Sequence, residues 1–159
     1  MDKKKIILKL IEITRLNLQA AHEAAQNTYD IATNEESKAE NKYDTRGLEA
    51  SYLAGAQAER AADIKATLTS YENIKIQDFS TQKKISLTAL VEITNNEKSK
   101  LILLMPKGGG QIIVFENQQI QVITPDSPLG KNLIGKEIGD TVQVSSGDKN
   151  REYEIVNVI

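Results

Sequence analysis

The stretch PDSPLGKNLIGKEIGD, residues 125–140, decides how the second half of this chain is interpreted. Asp126 and Ser127 both carry a side-chain oxygen that can accept a hydrogen bond from the free N–H groups at the start of a helix. Pro128 follows them, and proline suits the first helical position because its φ angle is already close to the helical value. We therefore expect a short helix here, with Asp126 or Ser127 as its N-cap.

Around this helix, short runs rich in β-branched residues alternate with segments of turn-forming residues. The runs are ISLTALVEI, KLILLM, QIIVF, QIQVIT, DTVQVSS and REYEIVNVI, and the segments between them include NNEKS, PKGGG, ENQ and GDKN. PKGGG lacks the Gly-Lys-Ser/Thr ending of a phosphate-binding loop, so we interpret it as a hairpin between strands. The pattern predicts an α+β domain over residues 85–159, with five or six strands and one short helix.

The first half of the chain has a helical period instead. Apolar or small residues recur at gaps of three and four between Lys4 and Ala32, and again between Leu48 and Ile74. The first stripe is Ile7, Leu10, Ile11, Thr14, Leu18, Ala21, Ala25, Thr28 and Ala32, and the second is Leu53, Ala56, Ala61, Ile64, Leu68 and Tyr71. Two such stripes joined by a polar segment predict an antiparallel helical hairpin over residues 1–74, followed by a linker at 75–84.

The composition limits the classes of protein to consider. The chain has 159 residues, 26% of them charged, and a net charge of −2, which argues against a dedicated nucleic-acid binder. It has no cysteine, so disulfides and thiolate metal sites are excluded. Lys9 and Glu12 interrupt the apolar run at the N-terminus, and no segment approaches the roughly 18 apolar residues of a membrane span. We expect a soluble, cytoplasmic protein that does not contact a membrane.

The same residues resemble a known family. SPLGKNLIGKEIGD, followed by TVQV and a closing EYEIVNVI, is similar to the C-terminal signature of the GreA/GreB transcript-cleavage factors. An acidic segment between the two helical stripes, with Glu40-Asn41 and Tyr43, resembles the tip of the N-terminal hairpin in that family. Rnk-type regulators share the C-terminal signature but have a shorter helical arm, so the long hairpin favours the Gre-like assignment.

The resemblance implies a fold and a partner. The expected fold is a coiled-coil hairpin followed by an FKBP-like antiparallel sheet domain. Such a protein acts as a monomer on bacterial RNA polymerase: the sheet domain docks at the mouth of the secondary channel, and the hairpin enters the channel. The residues that the resemblance places at the docking contact are Thr124, Pro125, Asp126, Ser127, Pro128, Leu129 and Gly130; the alternative is that they only cap the helix.

The resemblance also implies a role for the acidic tip at residues 34–47. In the family, an Asp and a Glu three residues apart support metal-assisted hydrolysis of the nascent RNA near its 3′ end. Here Ser37 stands three residues before Glu40, and the nearest upstream acids are Glu36 and Glu35. The candidate catalytic residues are therefore Glu40, Glu36 and Glu35. Glu36 and Glu40 would be transient ligands of a Mg²⁺ shared with the polymerase active site, and the protein would need no cofactor of its own.

Several alternatives remain open from the sequence. The tip can be a solvated turn in which Lys38 and Lys42 pair with the carboxylates. Ser37 favours a related protein that occupies the channel and regulates or inhibits the polymerase without cleavage. An FKBP-like fold also suggests a prolyl isomerase, but Phe115 and Tyr153 are essentially the only aromatic residues available for such a pocket. A fourth alternative is a hairpin used only for protein association.

Two further features have simple interpretations. His22 is the only histidine and falls in the middle of a predicted helix, so we expect it at the surface. The basic cluster Lys3–Lys5 is interpreted as a solvated helix start, with contact to nascent RNA as the alternative.

Overall fold

The computed structural model describes residues 1–33, 45–80, 84–95, 98–146 and 149–159. Two long helices come first and a six-stranded sheet with one short helix follows, which confirms the predicted fold class. The elements are α1 (Lys3–Thr33), α2 (Arg46–Glu72), β1 (Leu90–Asn95), β2 (Lys98–Leu104), β3 (Ile112–Phe115), β4 (Gln118–Ile123), α3 (Pro128–Leu133), β5 (Thr141–Ser146) and β6 (Lys149–Val158).

The chain forms two compact units. One consists of Met1–Leu10 and Ser70–Ile159, and the other of Ile11–Thr69. The division passes through both long helices, so the first turns of α1 and the last turn of α2 belong with the sheet.

Helix α1 buries the side that its sequence predicts. Asp2 precedes the helix and its carboxylate accepts a hydrogen bond from the backbone N–H of Lys5 at 3.2 Å, which satisfies one free donor of the first turn. All nine positions of the predicted stripe, from Ile7 to Ala32, are buried or half-buried. The gaps between most of them alternate between four and three, which is the 3.5-residue period of a coiled-coil seam.

Helix α2 buries a different side from the predicted one over its first half. Leu53 is 52% exposed and Ala56 is also exposed, so the prediction is wrong at both positions. The buried or half-buried series has the same 3.5-residue period and consists of Gly47, Ala50, Ala54, Gln57, Ala61, Ile64, Leu68 and Tyr71. A pattern based on apolar size favours Leu53 over these buried positions, because Gln57 is polar and Ala54 is small.

The sheet has the strand order β3-β4-β2-β1-β6-β5. Its pairings are antiparallel except for β2 with β4, which run parallel. The register of β1 places Val91 opposite Ile102, and Ile93 opposite Ile155. These side chains are completely buried and form the main core with Leu133 of α3. Helix α3 and the loops around it are thereby held against this face of the sheet.

The residues that alternate with this core face the other side of the sheet. Leu103, Ile120 and Val122 are also completely buried. Hydrogen bonds attach the helix ends of this unit to the sheet and its loops. Lys9 Nζ donates to the carbonyl oxygen of Val114 at 2.8 Å, and the hydroxyl of Tyr71 donates to the backbone carbonyl oxygen of Lys107 at 2.8 Å. Tyr71 is only 1% exposed, and burial raises its pKa to about 12.

The prediction of a solvated basic cluster is wrong for Lys3, which is 8% exposed, although the next two lysines are exposed. Lys3 Nζ donates to the carbonyl oxygens of Gln77 at 2.6 Å and Ile159 at 2.9 Å, and lies 4.3 Å from the ring centroid of Phe79. Burial lowers the pKa of Lys3 to about 8, and the negative charge of Asp78 partly opposes the shift. Lys3 therefore ties the start of α1 to the linker and to the end of β6.

Candidate functional site

The predicted docking residues form one loop, Thr124–Gly130, that leaves β4 and enters α3. Ser127 is the N-cap of α3: its hydroxyl accepts a hydrogen bond from the backbone N–H of Gly130 at 3.0 Å, and Pro128 occupies the first turn. The prediction of a capped helix is confirmed, and the cap is Ser127 rather than Asp126. Asp126 is exposed and leaves its carboxylate at the surface of the loop.

The carbonyl oxygen of Thr124 holds this loop in shape. It accepts hydrogen bonds from the backbone N–H of Ser127 at 3.1 Å and from the hydroxyl of Ser127 at 2.7 Å. Because the same hydroxyl accepts from Gly130, one serine connects the first residue of the loop to the first turn of α3.

Gly130 packs directly against this carbonyl group. A Cβ atom at position 130 would lie 2.0 Å from the carbonyl oxygen of Thr124 and 2.9 Å from the hydroxyl of Ser127. Real Cβ atoms do not approach backbone oxygens so closely, so any other residue would force the loop and the helix apart. The glycine of the SPLGK motif is thus required by the geometry of the loop.

A second glycine lies on the other side of Thr124. A Cβ atom at Gly109 would come 3.2 Å from Cγ2 and 3.5 Å from Oγ1 of the Thr124 side chain. Gly109 belongs to the PKGGG segment, which joins β2 to β3. The expected hairpin is wrong, because β4 lies between these two strands in the sheet and the segment crosses over its end.

The loop exposes two of its seven residues. Asp126 and Pro128 are exposed, whereas Thr124, Pro125, Ser127 and Leu129 are half-buried and Gly130 is buried. Asp126 is the only titratable side chain between Thr124 and Gly130. The described ranges hold no group of three or more histidine, aspartate or glutamate side chains placed to bind a metal ion. The loop therefore offers a shaped surface with one negative charge.

The predicted catalytic residues Glu35, Glu36 and Glu40, together with Ser37, lie outside the described residues. Their role as catalytic groups and as Mg²⁺ ligands stays a prediction. The helices on either side are described: α1 ends at Thr33, and the N–H of Glu49 in the first turn of α2 donates to the carbonyl oxygen of Thr45 at 2.9 Å.

The two helices form a shallow groove within the unit Ile11–Thr69. It has a volume of about 440 Å³, and its walls include His22, Gln26 and Tyr29 on α1 and Gly55 and Ala58 on α2. His22 is exposed, as expected. Large apolar side chains remain exposed on this unit, namely Leu16, Tyr29, Ile31, Leu48, Tyr52 and Leu53. The sequence signal for the exposure of Tyr52 and Leu53 is that the 3.5-residue series leading back from Tyr71 leaves out both positions.

No helix in the parts of the chain that the structure covers is both long and apolar enough to cross a membrane.

Comparison with known proteins gives the family. The sequence profile of the GreA/GreB transcription elongation factor C-terminal domain matches residues 80–159, which is 80 of the 159 residues. The chain belongs to the GreA/GreB family. The match contains both the Thr124–Gly130 loop and the glycine segment that packs against it.

Similar proteins carry the names of transcription factors. Transcription elongation factor GreA of Thioalkalivibrio sulfidiphilus is 29% identical over 99 residues, covering 62% of this chain and 60% of that protein. GreA of Alkalilimnicola ehrlichii is 28% identical over 151 residues, covering 95% of this chain and 85% of that protein. The chain therefore spans less than two thirds of the first relative and most of the second.

A relative with a different name is similar over nearly the whole chain. Transcription inhibitor protein Gfh1 of Thermus aquaticus is 26% identical over 156 residues, covering 96% of this chain and 89% of that protein. The crystal structure of Thermus aquaticus Gfh1 covers 98% of this chain and 92% of its own, with 25% identity and a TM-score of 0.39.

Proposed function

We propose that this GreA/GreB-family protein binds bacterial RNA polymerase through the secondary channel and stimulates cleavage of backtracked RNA. The observation that carries the proposal is the pair of helices, 31 and 27 residues long, that lead to and from the acidic segment of the chain. At 1.5 Å per residue, helices of this length extend about 40 to 45 Å. Helices of this length could hold a few carboxylates far from their opposite ends.

The loop Thr124–Gly130 is the proposed docking contact. Its shape is fixed by the bonds between Thr124, Ser127 and Gly130, so little conformational entropy is lost when a partner binds it. Asp126 and Pro128 are its exposed side chains, and they supply a charge and a rigid apolar surface.

The tip carboxylates Glu40, Glu36 and Glu35 are the proposed catalytic groups. Carboxylate oxygens are the ligands that Mg²⁺ prefers, and two carboxylates suffice when water and phosphate oxygens complete the coordination. Glu36 and Glu40 would hold the ion transiently, while the polymerase supplies its other ligands. The ion would polarise the scissile phosphate and activate water. The protein itself would be an accessory factor without its own cofactor, acting as a monomer in the cytoplasm.

A transcript-cleavage assay on stalled, backtracked elongation complexes tests the proposal. The wild-type protein is expected to shorten the RNA from its 3′ end, and Glu40→Ala and Glu36→Ala to abolish this shortening while polymerase binding persists. Glu59→Ala is the matched control, because Glu59 is an exposed carboxylate on α2 away from the tip. Cleavage that continues unchanged in both tip variants would remove the proposed catalytic role.

A second function is favoured by two observations. Ser37 replaces the acidic residue that the family places three positions before Glu40, and the relative named as a transcription inhibitor matches 96% of the chain. In this alternative the protein occupies the channel and slows the polymerase without cutting RNA. Absence of cleavage together with slowed elongation by the wild-type protein would establish it in place of the first.

A further inference from the structure

Thr124 lies between two glycines that come from different parts of the sequence. Gly130 stands against its carbonyl oxygen, and Gly109 stands against its side chain. The three atoms nearest to a Cβ at position 109 all belong to Thr124, at 3.2, 3.5 and 3.6 Å. The closest contacts of a side chain at 109 would therefore be with this one residue.

The glycine segment is held firmly and cannot move away from Thr124 without cost. Gly110 N–H donates to the carbonyl oxygen of Val122 at 2.9 Å, and Met105 N–H donates to that of Ile123 at 2.9 Å. On the side of the helices, the buried hydroxyl of Tyr71 donates to the carbonyl oxygen of Lys107 at 2.8 Å. Bonds on both sides of Gly109 thus fix its distance from the loop.

We propose that Gly109 is a positioning residue for docking on RNA polymerase. By leaving space beside Thr124, it allows the carbonyl oxygen of Thr124 to hold Ser127, and so sets the shape of the Thr124–Gly130 surface. Gly109 acts through Thr124 and need not touch the polymerase. The inference rests on the proposed function, because docking through this loop is part of that proposal.

Gly109→Ala is expected to displace Thr124 slightly, and a second substitution at Thr124 should reverse this displacement. Alanine at position 109 would push the methyl group of Thr124, since 3.2 Å is closer than most Cβ contacts. Serine at position 124 lacks that methyl group but keeps the hydroxyl, so it restores the space. A defect in Gly109→Ala that Thr124→Ser repairs is expected only if the contact between these two residues matters.

The experiment measures the affinity of the full chain for bacterial core RNA polymerase, with thermal unfolding of each variant alongside. Gly109→Ala is expected to bind about tenfold more weakly, the effect of a modest overpacking cost. Thr124 belongs to the docking loop, so the affinity of Thr124→Ser is the reference for the double variant. In that background Gly109→Ala should weaken binding by less than about twofold. Gly110→Ala is the matched control: φ at Gly110 is +91°, so alanine strains the same segment, but no atom lies within 4 Å of its Cβ.

Rescue of Gly109→Ala but not of Gly110→Ala by Thr124→Ser would support the inference. Wild-type affinity in Gly109→Ala, or an equally large loss when Gly109→Ala is added to Thr124→Ser, would overturn it while leaving the proposed function intact. Failure of the wild-type protein to bind the polymerase would instead overturn the proposed function, and this inference with it.

Discussion

The sheet unit and the helical unit are built from different buried residues. In the sheet unit, completely buried branched side chains such as Val91, Ile93 and Ile102 face one another across neighbouring strands. Among the described residues of Ile11–Thr69, the buried ones are Thr14, Ala21, Ala61 and Leu68, and most of these are small. Burial of apolar area therefore stabilises the sheet far more than the helices, and the helices depend more on their intrinsic helix propensity.

The largest expected effect is a core substitution in the sheet. Ile102→Ala removes a completely buried side chain and should lower the free energy of unfolding by about 2 to 5 kcal/mol. Leu16→Ala, at a position that is 60% exposed on the helical unit, should change it by less than about 0.5 kcal/mol. Urea denaturation of both variants measures the difference, and equal losses would contradict the contrast between the two units.

The next effect is a pH dependence caused by Lys3. Its pKa is about 8 in the folded protein against an ordinary value of 10.5, so between these pH values the unfolded chain binds more protons. The contribution of Lys3 to stability is then expected to rise with pH in this window, by about 1 kcal/mol per pH unit. Unfolding of the wild type and of Lys3→Met at pH 8, 9 and 10 tests this. The rise should be smaller in Lys3→Met, and identical slopes would show that Lys3 does not titrate in this range.

Tyr71 should have the opposite dependence at higher pH. Burial raises its pKa to about 12 from an ordinary value of 10.0, so the unfolded chain loses this proton first. The stabilisation that comes from this difference in pKa is complete below pH 10 and is lost between pH 10 and 12. The stability of Tyr71→Phe should not show this decline. At neutral pH its free energy of unfolding should be lower by about 1 kcal/mol, because the hydrogen bond to the carbonyl oxygen of Lys107 is lost. Ultraviolet titration of tyrosine ionisation, with Tyr52→Phe as the exposed control, would show whether a late-titrating tyrosine disappears.

The smallest expected effect is a gain in the helical unit. Gly55 lies inside α2 and a Cβ there would meet no atom within 4 Å, so Gly55→Ala should raise the stability by up to about 1 kcal/mol. Gly135→Ala also has open space, but its φ of +79° should make that substitution destabilising by about 1 to 2 kcal/mol. Thermal unfolding compares the two, and a loss in Gly55→Ala would mean that propensity does not limit this helix.

The parts of the structure that could be predicted are those with a local chemical cause. The capped helix follows from Ser127 and Pro128, and the buried side of α1 follows from the regular spacing of its apolar and small residues. The prediction is wrong over the first half of α2 because the polar Gln57 is half-buried, so polarity and burial disagree there. The four buried or half-buried positions before Ala61 are Gly47, Ala50, Ala54 and Gln57, and none of them is a large apolar residue. A pattern based on size therefore favours the neighbouring Leu53.

The features that could not be predicted depend on distant parts of the chain. Burial of Lys3 requires carbonyl groups at Gln77 and Ile159, and a helix start alone carries no sign of them. The hairpin prediction for the glycine segment is wrong because the parallel pairing of β2 with β4 leaves no local signature in the sequence. For the candidate site, the sequence located the loop but not the contact of Gly109 with Thr124, which lie 15 positions apart.

The place of β6 in the sheet has a consequence for how the protein is made. This strand, Lys149–Val158, lies between β1 and β5, and its Ile155 pairs with Ile93, which is 62 positions earlier. The core beneath β1 therefore cannot close while the chain is still being synthesised up to this strand. Until then β1 and β2 expose apolar side chains on the nascent chain. The part of the helices within Ile11–Thr69 does not belong to the sheet unit, and it can form on the ribosome well before the sheet does.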